Sequence, residues 1–184
     1  MSKVKVFKQP YIAIETSDDE LHYMLGLKGE LSSVIKVVNN VQQYSGDPKD
    51  YESFHTALNN IITVVGEGHI IQKIDVLAKG NYDHKESDDF LQKSFDDHFK
   101  GRSFNIIHSF VVITRTGVTK GKNKNDVLED IKSKIYKVVQ TLESGRFNPT
   151  LLREKQLDNL YYRVATMDFV SKGIILDNFS PSKN

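Results

Sequence analysis

The chain has 184 residues, with 25 Lys and Arg against 24 Asp and Glu, and it contains no cysteine. Its length suits one domain of about 100–200 residues, and 39% hydrophobic with 10% aromatic residues is enough to fill a core. Without cysteine there is no disulfide, thiol nucleophile or Cys-ligated zinc, and a formal charge of +1 argues against a wholesale electrostatic nucleic-acid binder while leaving room for a local basic patch.

Tyr11 to Glu15 is expected as a short strand after the Pro10 break, followed by a turn at Asp18-Asp19. From Glu20 to Leu31, apolar Leu21, Tyr23, Leu25, Leu27 and Leu31 alternate with His22, Met24, Gly26, Lys28 and Glu30. Alternation of this kind predicts a half-buried strand, paired with the first as an antiparallel hairpin. Residues 32–43 read either as a strand, from their β-branched side chains, or as a turn of helix. Asp47-Pro48 then opens a helix, since proline at the first helical position gives up an N–H that has no partner there. Its expected stripe is Tyr51, Phe54, His55, Leu58, Ile61, Ile62 and Val65, and Gly66 and Gly68 end it.

His69 to Leu77 predicts a strand with imperfect alternation. Ser87-Asp88-Asp89 places a cap and two acids at the positive end of the next helix, whose stripe is Phe90, Leu91, Phe95 and Phe99. Ile106 to Thr116 has the strongest strand pattern in the chain. A basic loop spans 117–125, and a helix over 126–143 carries Leu128, Ile131, Ile135, Val138 and Leu142 at 3-4-3-4 spacing. Asn148-Pro149 is expected to open a last helix lined by Leu157, Leu160, Tyr161 and Val164. Ile174-Ile175-Leu176 reads as a final short strand. The expectation is one α+β domain over 1–176: an antiparallel or mixed sheet of four to five strands, about four helices, two layers. Residues 177–184 read as a linker or disordered tail.

No apolar run approaches the roughly 20 residues of a spanning helix, and the N-terminus lacks a signal-peptide apolar region. The expected location is therefore the cytoplasm or the cytoplasmic face of a membrane, held there by partners.

Few residues suggest chemistry. The loop Gly117-Val118-Thr119-Lys120-Gly121-Lys122-Asn123 sits between a strand and a helix, as a phosphate-binding loop does. That motif needs four residues between its glycines and a hydroxyl after the lysine, because its N–H groups cage phosphate and its hydroxyl holds magnesium. Here there are three residues, with Asn123 in the hydroxyl position. Gly117, Gly121 and Lys122 are thus nucleotide-binding candidates against an ordinary solvated turn. Lys120, Lys122 and Lys124 are candidates for contact with nucleic acid or acidic lipid, which would be salt-dependent. The histidines are scattered, with no metal-ligand spacing; His55 and His98 read as half-buried members of helix stripes. Asp18-Asp19 and Asp88-Asp89 read as turn and helix-end acids. The aromatics read mostly as core. The residues themselves therefore indicate an α+β domain with no catalytic centre and no metal site.

Two stretches carry a resemblance. One is Tyr51-Glu52-Ser53-Phe54-His55 followed by Gln72-Lys73-Ile74-Asp75. The other is Ser94-Phe95-Asp96-Asp97-His98-Phe99 running to Arg102. Their order, with Ile113-Thr114-Arg115-Thr116 and the basic loop behind them, resembles the amino-terminal domain of the TraG-type conjugation ATPases of Bacteroidetes conjugative transposons, which are similar to the VirB/TrbE/CagE group of type IV secretion motors. The likeness covers about residues 11–116. It departs at Asp97, where the family has Arg, and at Lys100-Gly101-Arg102-Ser103, which replaces Asn-Glu-Arg-Pro.

The resemblance implies a non-catalytic docking and assembly domain. Its expected partners are secretion-channel and inner-membrane conjugation proteins and neighbouring subunits, including self-association. It implies no cofactor for this stretch, with ATP and magnesium held by a separate downstream motor domain, so that the chain is expected to be part of a longer protein or the product of a truncated gene. It assigns no catalytic role to Tyr51, Glu52, His55, Gln72, Lys73, Asp75, Ser94, Phe95, His98, Phe99 or Arg102, which read as packing positions. The alternative is a small stand-alone nucleotide-binding or nucleic-acid accessory protein that uses the 117–125 loop.

Overall fold

The computed structural model describes residues 11–17, 21–38, 48–82, 88–116 and 124–167. The expected strand at 174–176 and the tail lie outside them, as do Gly117, Lys120, Gly121 and Lys122. In chain order the elements are β1 (Tyr11–Thr16), β2 (His22–Gly26), β3 (Leu31–Val37), α1 (Pro48–Val65), β4 (His69–Asn81), α2 (Phe90–Phe99), β5 (Ser103–Arg115), α3 (Lys124–Ser144), β6 (Thr150–Leu151) and α4 (Glu154–Thr166). The class is α+β. One antiparallel sheet runs β1-β2-β3-β5-β4, and the two-residue β6 pairs with β3 as a sixth strand.

Three elements differ from expectation. The alternating run after Glu20 is two strands, because Gly26 to Glu30 forms a tight turn. The Gly26 amide donates to the Glu30 carbonyl at 2.8 Å, and Gly29 takes a φ of 80°, which glycine adopts without steric cost. β3 is therefore a strand from Leu31. It escaped the period-two pattern because Leu31, Ser33, Val34, Ile35 and Val37 are all buried, on both faces. The last helix opens at Glu154 rather than Pro149, since residues 150–151 pair with β3 first.

α1 and α3 cover one face of the sheet. Ala57, Ile61 and Val65 from α1 meet Val127, Ile131, Ile135, Val138 and Leu142 from α3, above Ile35, Val111 and Ile113. The two helices approach closely at Gly145, where an added Cβ would lie 2.8 Å from that of Ala57. Tyr51, His55 and Ile62 fall outside this stripe and are exposed. The half-buried His55 expected from spacing is thus a surface residue, because the contact face of α1 is narrower than its apolar stripe. On the opposite face, Val34, Phe110 and Val112 pack with Leu152, Leu157 and Leu160 around α4. The Tyr11 hydroxyl donates to Asp158 at 2.6 Å, and its ring meets Tyr161 edge-on at 4.9 Å, which ties α4 to β1.

β4 and β5 pair over 13 residues each, but β3 reaches only Ser109. Beyond that point, among the described residues, the two strands continue without a third for roughly 20 Å, at about 3.3 Å per residue, and α2 lies between them in the chain. This β4-α2-β5 extension is the arm of the molecule, and the remainder is its body.

Candidate functional site

Among the described residues three groups of polar side chains stand out, and one of them lies beneath exposed aromatic rings. The first is where β4 begins, β5 ends and α3 passes. The Arg115 guanidinium makes an ion pair with Asp130 and lies 3.4 Å from His69 Nε2, which is 3.9 Å from the same carboxylate. His69 Nδ1 sits 2.9 Å from the Glu67 carbonyl. A carbonyl only accepts, so Nδ1 carries the proton and Nε2 faces Arg115 with its lone pair. The His69 side chain is 1% exposed. Burial, opposed by the Glu67 carbonyl and aided by Lys134 and Arg115, holds its pKa below the usual value. Lys134 donates to the Val65 carbonyl at the end of α1, where a cation suits the helix dipole. Burial first, then Arg115, lowers the Lys134 pKa as well. A neutral imidazole wedged between cations, with its polar atoms spoken for, closes the end of α1 against the sheet.

The second group is a ladder on β4 and β5. Asp75 accepts from the Ser109 hydroxyl at 2.6 Å and pairs with Lys73 two residues back. Burial pushes the Asp75 carboxyl up, but the hydrogen bonds from Lys73 and Ser109 outweigh it, so its pKa is lowered. A stabilised carboxylate is a poor base for Ser109, and Lys73 is already an ion-pair partner, so the trio does not activate a nucleophile. Gln72 points to the other face of the strand and is exposed.

The third group is the arm tip. Asp89 caps α2 by accepting from the Leu91 amide at 2.8 Å, so the cap lies two residues after Ser87. Within the helix Asp96 is completely buried, while Phe90, Leu91 and Phe95 are 80%, 75% and 51% exposed. The carboxylate of Asp96 accepts from Tyr82 and, at 3.0 Å, from Gln92 one turn back. Its second oxygen has no hydrogen-bond partner among the described residues. The bond to Asp96, with burial, raises the Tyr82 phenol pKa. Around Tyr82 the rings of Phe95 and Phe99 lie at 6.0 and 5.9 Å, and 4.6 Å from each other. His98 meets Phe99 edge-on at 4.9 Å, and Arg102 lies 5.8 Å over its face, a cation–π distance.

The fold therefore brings Phe95, His98, Phe99 and Arg102 together. Ser94, on the same helix, is exposed. Tyr51, Glu52 and His55 sit on α1, exposed and outside this cluster, and Lys73 and Asp75 belong to the ladder. Two expectations fail here. His98 is exposed rather than half-buried, and Phe90 and Phe95 are surface residues rather than core. The reason is common to all three: among the described residues α2 packs on its Asp96 side, so a helix stripe that would be buried against a sheet is left outside. Spacing missed Tyr82 and Asp96, which are 14 residues apart in sequence. It also missed the meeting of His69, Arg115 and Asp130; a charged residue ending the most apolar strand was the available sign. Lys124, expected in the basic loop, is the first residue of α3.

Among the described residues there is no cluster of His, Cys, Asp or Glu able to hold a metal ion, and no helix is long and apolar enough to cross a membrane. The arrangement at the arm tip suits contact more than chemistry: apolar rings outside, a polar clamp within. Neither protein-family models nor curated proteins match the chain.

Proposed function

We propose that this chain is a non-catalytic docking and assembly domain of a conjugative transfer ATPase of the type IV secretion kind, contacting the inner-membrane channel and neighbouring subunits. The observation that carries the reading is the arm: Phe90, Leu91 and Phe95 stand exposed on a helix held at the end of a two-stranded ribbon. Exposed aromatic and aliphatic side chains grouped on one element mark protein contact surfaces, where they supply most of the binding energy. The Tyr82–Asp96 clamp keeps that helix in a set orientation, so docking would not require the tip to fold on contact. The motif resemblance supplies the partner class, and Ser94, Phe95, His98, Phe99 and Arg102 of its motifs lie at this tip. In this reading ATP and magnesium belong to a downstream motor domain, and the domain works on the cytoplasmic side of the inner membrane.

The test is binding to a purified inner-membrane channel protein of the same conjugation system, by calorimetry, together with an ATPase assay. The expected result is binding that weakens at least about tenfold in the double variant Phe90→Ser with Leu91→Ser, and no ATP turnover by the chain. Turnover by the pure chain, or nucleotide binding abolished by Lys122→Ala, would instead support the stand-alone nucleotide-binding reading and overturn this one.

A further inference from the structure

The two edges of the sheet are not alike. β1 is six residues long, its register shifts between Tyr11 and Ala13, and Tyr11 is tied to α4. Such features blunt an edge against pairing with another chain. β4 is 13 residues long, contains no proline and pairs with β5 without a bulge from His69 to Asn81. At its two ends the Thr116 amide donates to Gly68 and the Tyr82 amide donates to Arg102, both at 3.1 Å. Even-numbered residues of β4 therefore bond inward to β5. By the alternation of an antiparallel ladder, the amides and carbonyls of His69, Ile71, Lys73, Asp75, Leu77 and Lys79 point outward. Among the described residues no backbone group accepts or donates to them there.

We infer that β4 is the interface for a second copy of this chain, paired antiparallel about a two-fold axis at Ile74, so that the two sheets become one. The side chains select that register. With the axis at Ile74, Lys73 stands opposite Asp75 of the partner, and Asp75 opposite its Lys73, which makes two cross-strand ion pairs. Leu77, 72% exposed, stands opposite the partner's Ile71. There it meets a shallow cavity of about 440 Å³ lined by Leu58, Ile61, Ile62 and Ile71, where Ile62 is itself 61% exposed. On the other face Ile70, 48% exposed, stands opposite Ala78. Moving the axis by one residue sets Lys73 against Lys73 or Asp75 against Asp75. Like charges directly opposite are destabilising, so the neighbouring registers are disfavoured. Lys73, which would guard a lone edge, becomes a matched partner here. Lys73 and Asp75 are accessible for this, with side chains 40% and 36% exposed.

The inference rests on the β4 edge and not on the arm tip, and it is tested separately from channel binding. Because the chain has no cysteine, Ile74→Cys introduces a single thiol that meets its own copy across the axis. Residues opposite each other at a non-hydrogen-bonded position lie about 4.5 Å apart at Cα, within the range a disulfide spans. Mild oxidation should convert Ile74→Cys to covalent dimer and leave Ala78→Cys monomeric. Sedimentation equilibrium should show a dimer of the unmodified chain. Lys73→Glu or Leu77→Lys should weaken that dimer at least about tenfold, with unchanged circular dichroism. Lys73→Glu combined with Asp75→Lys should restore it, and that double variant should not mix with the unmodified chain. An unmodified chain that stays monomeric at about millimolar concentration, a dimer indifferent to both single variants, or equal cross-linking at positions 74 and 78 would overturn the inference.

Discussion

Phe110 and Phe95 are both aromatic residues on well-formed elements, yet one is wholly buried and the other is 51% exposed. The difference is what stands behind each element. Phe110 is on β5 where β3 and β4 flank it and α4 lies above, so every side of the ring meets protein. Phe95 is on a helix attached to two strands that have run past the last neighbour. In the body, apolar spacing is translated into burial because a third strand and a helix complete the enclosure. In the arm the same kind of spacing yields an exposed patch. An apolar stripe states what an element could bury, and the neighbouring elements decide whether it does.

The strongest way to break that comparison is to truncate both rings. Phe110→Ala is expected to cost about 3–5 kcal/mol, whereas Phe95→Ala should cost less than about 1 kcal/mol. Denaturant melts of the two variants compare them directly, and similar losses would mean that the arm is packed as tightly as the body. Next in size is the charged closure of the body. Asp130→Asn removes the charge that faces the buried Arg115 guanidinium, and thermal or urea unfolding should register a loss of about 1–3 kcal/mol.

Native-state hydrogen exchange sharpens the contrast within a single strand. The amide of Val112, inside the flanked part of β5, should exchange only on global unfolding. That of Ile106, in the two-stranded part, should open at a lower free energy. Equal protection along β5 would remove the distinction between arm and body.

The smallest expected effect is a pH dependence confined to the body. His69 has a folded pKa below its ordinary 6.5, so below that value the unfolded chain binds a proton that the folded chain resists. Stability therefore rises with pH through this window and falls on acidification. Urea midpoints at about pH 5.5 and 7.5 should differ less in His69→Gln than in the unmodified chain. An unchanged difference would show that another group carries the dependence.

Much of the architecture was legible from residue patterns. The α3 stripe from Ile131 to Leu142 is buried at the spacing read from sequence, because one helix facing one sheet produces a plain 3.6-residue signal. β5 was legible for a related reason: Phe110 to Ile113 is a continuous apolar run, as expected of a strand covered on both faces. β3 was hidden by that same two-sided burial, since a strand without alternation looks like a buried helical turn. The Gly26–Glu30 turn was hidden because its flanking strands happen to keep the alternation in phase across it.

The candidate surfaces were legible only in part. Phe95, His98 and Phe99 could be placed together from spacing on one helix, because neighbours three and four apart share a face, whereas Arg102, which lies beyond the end of α2, was named only by the resemblance. Tyr82 and Asp96 could not be placed together, since their hydrogen bond depends on where the end of β4 comes to rest beside α2.

By itself, then, the sequence determined the α+β class, the helix stripes, the strongest strand and the lack of any cysteine chemistry. These follow from periodicity and composition, which are local properties of the chain. Only the tertiary structure decided which stripes are covered, that β3 stops six residues short of the end of its neighbour β5, and that β4 is, among the described residues, a long, unbulged edge. Those are properties of strand order and relative length, and no single segment contains the information that another segment will end before it does.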